Sequence, residues 1–585
     1  MAVTITTRSS PTDIPALHEN LVAHRILAAR GVRSSSELDY SLGALPSPDA
    51  LPDIERAVDR LLLAREAEDQ VLIVGDYDCD GATSTALMML ALRAFGFTQL
   101  DYFVPNRFDF GYGLSPAVVN IAKERQTDLI VTVDNGVASV EGVRHASQLG
   151  IDVVVTDHHL PPEQLPEPVA LVNPNLEGSH FCSKNLAGVG VAFFVLLALR
   201  ARLRKLDDPG AEFKLAELLD LVAIGTVADM VPLDAVNRAL VEQGLRRIRH
   251  RSTRPGILAL LKVAGRTPEQ MTTQDIGFFI GPRLNAAGRM QDISVGIECL
   301  MGDDEHSMAL AGELDSLNQQ RRSVEKSMTD TASIQLEHAS RDAVDVASRF
   351  GVCLYEKDWH QGIIGILAGR LKEKFHRPVV VFTADEDDLI KGSARSIPGV
   401  HIRDVLQRLL TQYEIPIVKF GGHAMAAGLT MPKEALSAFS LAFDQEIERM
   451  LNGQLPQKQW LSDGELEIAD LSLQQALLLE RLAPWGTAFE APIFHGEFHL
   501  LKMNEVGTGH ARLSVLPIIA GEIVDVAPLE CIAFNQFDGI PESDSLLLVY
   551  SLAVNRYKNR QRMQFQVHYI TSALNECATL TTDSA

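Results

Sequence analysis

VLIVGDYDCDG (residues 71–81) joins a continuous apolar run of strand length to a turn that carries three carboxylates. A run without polar alternation is the pattern of a strand buried on both faces, as in a parallel sheet covered by helices. Two runs of the same kind follow, DLIVTVDNG (128–136) and DVVVTDHH (152–159), each closed by an Asp and each followed by an amphipathic stretch. This alternation predicts an α/β domain built on a parallel sheet. Ligands of such sheets bind beyond the carboxyl ends of the strands, where Asp76, Asp78, Asp80, Asp134 and Asp157 fall.

Three carboxylates within five residues repel one another unless a cation neutralises them. The DxDxDG string is also that of a calcium loop, but the glutamate which completes that motif is missing. Asp229, at the end of the apolar segment LVAIGTVADMVPL (221–233), is read as a further acid brought to the end of a neighbouring element. Any one of these residues alone would be an ordinary cap or turn residue; the ordered series argues for a common site. His158 and His159 add nitrogen donors, and a mixed oxygen and nitrogen set suits manganese. A pair of divalent ions bridged by a carboxylate would hold a water as hydroxide and clamp a phosphoryl oxygen.

Working outward, the chain has 585 residues, and a prior of about 150 residues per domain allows about four. The formal net charge of −23 argues against a uniformly basic nucleic-acid coat, but not against a local cationic groove. Six scattered cysteines without a CxxC pair fit a reducing compartment. The N-terminus lacks the apolar core of a signal peptide. The most apolar stretch, Val189 to Leu206, is broken by Arg200, Arg202 and Arg204 and reads as a buried helix. No membrane span is expected, and the expected location is cytoplasmic. GVCLYE (351–356) and RPVVVF (377–382) indicate a second α/β unit, and residues 307–349 between the two read as a long connecting helix or helical pair. After the linker LNGQLPQKQ (451–459) come the strand-like segments GELEIADLS (464–472), PIFHGEFHLLKM (492–503) and HARLSVLPI (510–518). A hairpin over 545–570 follows, turning at RYKNRQR (556–562). These predict a small all-β C-terminal barrel.

DYDCDG, VDNG, TDHH and GTVADMVPL resemble, in order and spacing, the four motifs of the DHH phosphoesterase superfamily. GGHAMAAG (421–428) resembles the glycine-rich motif of the DHH-associated domain. VPNRFDFGYGLS (104–115) and GPRLNAAGRM (281–290) narrow the resemblance to the single-strand-specific 5′→3′ DNA exonucleases of that superfamily, over roughly residues 51–569. The resemblance implies an N-terminal extension (1–50), a DHH domain (51–305), a helical connector (306–345), a DHH-associated domain (346–450) and an OB-like domain (457–575).

By the same resemblance, Asp78, Asp80, Asp134, His158 and Asp229 are metal ligands, with Asp134 the bridge, for two Mn2+ or Mg2+ ions. Asp76 supports them, His159 points to the phosphate or its water, and Asp157 orients the adjacent histidine. Arg107, Arg283, Ser393 and Arg395, each in a Gly-rich loop, bind the scissile and 5′-terminal phosphates. Gly421, Gly422 and His423 form the opposite wall, with His423 a transition-state contact. Phe108, Phe110 and Tyr112 are candidates for base stacking. The runs LRRIRHRSTR (245–254) and RYKNRQR are candidate DNA contacts. The implied enzyme degrades single-stranded DNA from its 5′ end to 5′-mononucleotides in repair and recombination. It is expected to act as a monomer recruited by a single-strand-binding protein and a recombination helicase. The alternatives are another DHH phosphoesterase, such as an oligoribonuclease or nucleotide phosphatase, or an inactive replication scaffold; the scaffold reading is disfavoured because every motif carboxylate is present.

Overall fold

The three apolar runs and two further strands not expected from the sequence, Leu100–Phe103 and Ala170–Val172, form one parallel sheet in the computed structural model, which describes residues 3–11, 13–106, 113–341, 348–557, 560–573 and 578–582. The strands lie in the order Leu100–Phe103, Val71–Val74, Leu129–Val133, Asp152–Thr156, Ala170–Val172, every neighbouring pair parallel. Numbered along the chain this is 2-1-3-4-5, a doubly wound order whose winding reverses between the first and third strands. The continuous apolar pattern has the expected cause. Val71 and Ile73 pack into the core that holds the helices Cys79–Ala94, Gly188–Lys205 and Leu219–Ala228. Leu72 and Val74 face the other way, against Val118, Val119 and Val143 of the helices Pro116–Glu124 and Val140–Gln148.

LDLVAIGTVA (219–228) is a helix, so Asp229 reaches the site from a helix C-terminus and not from a strand. The segment is buried almost throughout, and a short run that is apolar on all sides lacks the periodicity that tells helix from strand.

The chain divides into two compact units, one made mainly of residues 6–317 and 461–576, the other mainly of 318–460. The boundary falls within a single helix, Asp304–Arg341, the long connector expected from the sequence. In the second unit the strands order as Lys419–Gly422, Ala426–Pro432, Leu389–Arg395, Val379–Ala384, Val352–Tyr355, with only the last pair parallel.

The C-terminal barrel shares the first unit with the parallel sheet. Strands Phe494–Val506, Ser545–Tyr557, Arg560–Ser572, Leu529–Ala533 and His510–Ile519 are neighbours in turn, and pairing of the first with the last closes the ring. Phe494, Phe498, Tyr550 and Phe565 fill it, Tyr550 stacked on Phe565 with centroids 4.1 Å apart. The strand expected over GELEIADLS is absent: Ile468–Asp470 is a single helical turn, and Ser472 caps a helix over Leu473–Arg481. The acids and the serine of that segment favour turns and caps over a ladder.

The barrel's approach segment is anchored on the remainder of the first unit. Leu233 N–H donates to the Thr487 carbonyl (2.8 Å), and the Arg238 guanidinium lies 4.2 Å above the Phe489 ring. Arg30 grips Asp463 through two hydrogen bonds of 2.6 and 2.8 Å, with 2% and 1% of the two side chains exposed. Removing one partner of such a buried pair leaves the other charge unsatisfied. Asp463→Ala should therefore cost about 3–5 kcal/mol in chemical denaturation. Glu490→Ala, which removes a half-exposed carboxylate 3.8 Å from the same arginine, should stay within about 0.5 kcal/mol. Equal effects of the two would show that the Asp463 pair holds nothing in place.

Candidate metal centre

The strand Val71–Val74 delivers the chain to the acidic turn, and the helix Cys79–Ala94 begins inside it. Asp78 caps that helix, one carboxylate oxygen accepting from the N–H groups of Asp80 (2.9 Å) and Gly81 (3.1 Å). Asp80 is fully buried and accepts from the N–H groups of Gly188 (2.6 Å) and Val189 (2.9 Å), which open the helix Gly188–Lys205. Unpaired N–H groups and the helix dipole favour an anion there. The approach is so close that a Cβ on Gly188 would lie 2.5 Å from Asp134 Cβ, and one on Gly225 would lie 2.8 Å from Asp80 Oδ1.

Asp134 follows the strand Leu129–Val133 in a left-handed conformation (φ 62°), which Asp tolerates better than most residues. Its neighbour Asn135, fully buried, holds it there. The Asn135 side-chain amide donates to the carbonyls of Val74 (3.0 Å) and Val133 (2.9 Å), and the main-chain carbonyl of Asn135 accepts from the Thr132 hydroxyl (2.7 Å). Asn135 thus ties together the two strand ends between which the winding reverses. The sequence reading passed over it; its one signal is an amide side chain directly after the acid in VDNG.

Asp157 orients His159, a correction to the expectation that it serves the metal-binding histidine. Its Oδ1 accepts from His159 Nδ1 (2.8 Å) and from the backbone N–H groups of His158 (2.7 Å) and His159 (3.1 Å), while Oδ2 takes Val137 N–H (2.8 Å). His158 instead turns its Nε2 to Asp134 Oδ1 (3.1 Å) and Asp229 Oδ2 (3.6 Å). Burial opposes the charge on Asp157, but the His159 bond, the charges of His159 and His158 and the Val137 N–H together outweigh it and hold the carboxyl below its usual range. Burial likewise opposes a charge on His159, yet the hydrogen bond to Asp157 and that carboxylate's charge push it up to about 9.

Three overlapping sets of ligand atoms lie within 4.8 Å of one another: Asp76, Asp78 and Asp134; Asp80, His158 and Asp229; and Asp134, His158 and His159. Burial first, and then the neighbouring carboxylates, raise Asp80 and Asp134 well above the ordinary range and Asp229 to about 7. Acids crowded so that they resist ionising are what a divalent cation relieves. Carboxylate oxygens with an imidazole nitrogen fit Mn2+ or Mg2+. Asp76, expected as a supporting group, belongs to the first ligand set.

The expected phosphate contacts are placed less uniformly. Arg283 sits in a helix, Gly281–Met290, and not in a loop. Its Nε donates to Asp315 (3.0 Å), Nη2 lies 2.7 Å from the same carboxylate, and Nη1 donates to the Phe279 carbonyl (2.7 Å). Ser393 and Arg395 lie on the strand Leu389–Arg395 of the second unit, also not in a loop; Arg395 donates to the Ser393 hydroxyl (3.1 Å). Both misreadings come from taking glycine as a loop marker. Here glycines mark close packing: a Cβ on Gly392 would lie 2.6 Å from Phe382.

Through Gly428, Gly421 is aligned with Ser393, and a Cβ on Gly365, near the start of the helix Ile364–Phe375, would meet Ser393 Oγ at 3.0 Å and Arg395 Nη2 at 2.8 Å. Gly422 (φ 144°) leads to His423, which is exposed on the same hairpin. Ser393, Arg395, Gly421, Gly422 and His423 are therefore gathered on one part of one sheet. Arg107, Phe108, Phe110 and Tyr112 lie outside the described residues, as does Lys558. The basic run 245–254 is largely neutralised, Arg246 and Arg249 pairing with Glu242, Arg251 with Glu269 and Arg254 with Asp220. Arg556, expected to face DNA, is held by Glu480 through bonds of 2.6 and 2.8 Å.

Known proteins resemble this chain along most of its length. The sequence profile of the DHH family, N-terminal domain, matches residues 70–226, that of the DHHA1 domain residues 347–449, and that of the RecJ OB domain residues 462–569. The chain is 46% identical to the single-stranded-DNA-specific exonuclease RecJ of Salmonella typhimurium, over 95% of this chain and 96% of that protein. It is 47% identical to the RecJ of Dickeya dadantii, over 97% and 100%. The crystal structure of Thermus thermophilus RecJ in complex with Mn2+ superposes with a TM-score of 0.80 at 26% identity, covering 100% of this chain and 81% of that one.

If the cluster is a cation site, Mn2+ should raise the melting temperature of the chelator-stripped chain. A free concentration 100 times Kd corresponds to ~2.7 kcal/mol. Asp134→Asn should abolish that rise without lowering the stability of the metal-free chain, because one crowded charge is removed. An unchanged Mn2+ response in the variant would show that Asp134 is a turn residue only.

Proposed function

Because the chain belongs to the RecJ family of single-stranded-DNA-specific exonucleases, we propose that its acidic centre holds two divalent ions, Mn2+ or Mg2+, and hydrolyses single-stranded DNA from the 5′ end to 5′-mononucleotides. The observation that carries the reading is the division of the ligand atoms. Asp76, Asp78 and Asp134 form one set and Asp80, His158 and Asp229 another, joined by the 3.1 Å approach of Asp134 to His158. A carboxylate of one set that lies against a ligand of the other is the natural bridge of a two-ion site. When bound, such ions act as Lewis acids that neutralise phosphoryl oxygens and lower the pKa of water.

The remaining work falls to side chains. Asp157 fixes the His159 ring through Nδ1, and His159 is assigned to the substrate phosphate. Arg283 is held through Asp315, so its guanidinium is fixed in direction before a phosphate arrives, and planar forks of this kind suit phosphate oxygens. Ser393 and Arg395, with Gly421, Gly422 and His423 beside them, form an anion-binding surface on the second unit, and Arg107 is assigned to a substrate phosphate by resemblance alone. The closed barrel supplies the single-strand surface; with Arg556 engaged by Glu480, the exposed Arg560 and Arg562 are the described basic residues of its hairpin available to DNA. The proposed setting is DNA repair and recombination in the cytoplasm, by a monomer recruited through a single-strand-binding protein and a recombination helicase. Among the described residues no helix is long and apolar enough to cross a membrane.

With Mn2+ or Mg2+, a long 5′-phosphorylated single strand should be degraded to 5′-mononucleotides, with dinucleotides and pyrophosphate poor substrates. Preference for dinucleotides would favour an oligoribonuclease instead. Arg395→Ala should erase discrimination between 5′-phosphate and 5′-hydroxyl ends; an equal loss for both would place Arg395 on the general backbone path. Replacing Arg560 and Arg562 together by Ala should make the slope of log K against log salt shallower by about 1.4, at ~0.7 per single-strand phosphate contact. An unchanged slope would remove the hairpin from the DNA path.

A further inference from the structure

The helix Gly281–Met290 touches both halves of the metal centre. At its start, a Cβ on Gly281 would lie 3.2 Å from Ala228 Cβ, one residue before Asp229. Two turns later, a Cβ on Gly288 would lie 1.9 Å from the Tyr77 carbonyl oxygen, so that the helix backbone is pressed against the acidic turn itself. Between them Asn285 Oδ1 accepts the N–H of Cys79 at 2.8 Å. A π-turn over Ile276–Ile280 precedes the helix; such turns shift the phase of the side chains that follow and recur at functional sites.

Cys79 is the first residue of the helix Cys79–Ala94, and its N–H is one of the donors that a helix start leaves without an internal partner. Asp78 already takes the next two, those of Asp80 and Gly81, on a single oxygen. Without Asn285 the Cys79 N–H is left to the acceptors nearest in sequence, the carboxylates of Asp76 and Asp78, or stays unpaired at a cost of ~1–3 kcal/mol. Either carboxylate would then be drawn away from a cation. An amide performs this task without adding another negative charge to the cluster.

We infer that Asn285 is a positioning residue of the metal centre. By accepting the Cys79 N–H it keeps Asp76 and Asp78 turned to the cation, and through its helix it holds the acidic turn at a set distance from Asp229. This rests on the two-ion reading above.

The test is calorimetric titration of Mn2+ alone into the chelator-stripped full chain, native and variant, with melting temperatures and with kcat and KM on a 5′-phosphorylated oligonucleotide. Asn285→Ala should weaken Mn2+ binding by about 10–100-fold, the range for groups that orient metal ligands. It should lower kcat while leaving KM within about twofold. Asn285→Asp keeps the acceptor, and the charge it adds attracts a cation, so it should bind Mn2+ no more than about threefold more weakly than the native chain. If Asn285→Ala binds Mn2+ as tightly as the native chain while its metal-free melting temperature falls, Asn285 is only a helix cap and the inference is overturned. It is also overturned if the Asp variant binds Mn2+ ten times more weakly than native, an arm that stands even where the Ala variant does not fold, or if the native chain binds no Mn2+. A native chain that binds Mn2+ but leaves single strands intact would sink the exonuclease reading, and the Mn2+ affinities would still decide the role of Asn285.

Discussion

Mutual repulsion among Asp76, Asp78, Asp80, Asp134 and Asp229 is the constraint around which the first unit is organised. Burial deprives Asp80, Asp134 and Asp229 of water's dielectric, so the carboxylates around them raise the cost of ionising them, and Asp80 and Asp134 are displaced far from their ordinary range. The fold offsets part of this with dipoles. The start of one helix is turned on Asp80 through the Gly188 and Val189 N–H groups, and Asp78 caps another. The rest is left for cations to neutralise, which makes the cluster a binding site and not merely an unstable patch.

Bringing these acids together requires backbones at unusually short range, and that explains several residues which look unremarkable one by one. Gly188 lies against Asp134, Gly225 against Asp80 and Gly288 against the Tyr77 carbonyl, each where a Cβ would overlap its neighbour. Asn135 and Asn285 then fix the loops by hydrogen bonds to main-chain groups of other elements. The acids and histidines are supplied by four segments, but their separation is set by this shell of glycines and amides. The reversal point of a doubly wound sheet is suited to it, because there the loops after adjacent strands diverge to opposite faces and leave a crevice.

Charge elsewhere follows a different logic. The basic stretches most conspicuous in the chain, 245–254 and the start of 556–562, are engaged by Glu242, Glu269, Asp220 and Glu480. In a chain of net charge −23 an arginine readily finds a carboxylate, so local density of arginine is a weak guide to a nucleic-acid path. Arg30 with Asp463 shows the structural use of such pairs, fixing the end of the helix Leu21–Ala29 to the segment that leads into the barrel.

Fold class, and the carboxylate and imidazole make-up of the centre, are legible in the chain alone. Buried parallel strands must be apolar throughout, and acids at their ends are placed by local chain geometry, so both are legible from runs and spacing. The long connector and the barrel's hairpin were readable for the same reason, since helical and strand periods are local properties. Tertiary structure alone decided which partner each polar group takes. Asp157 orients His159 and not His158, Arg283 meets Asp315, Asp229 arrives on a helix, and the barrel joins the sheet's unit instead of standing apart. Each of these depends on residues far apart in the chain meeting at hydrogen-bonding distance, and no period or motif within one segment encodes such a meeting.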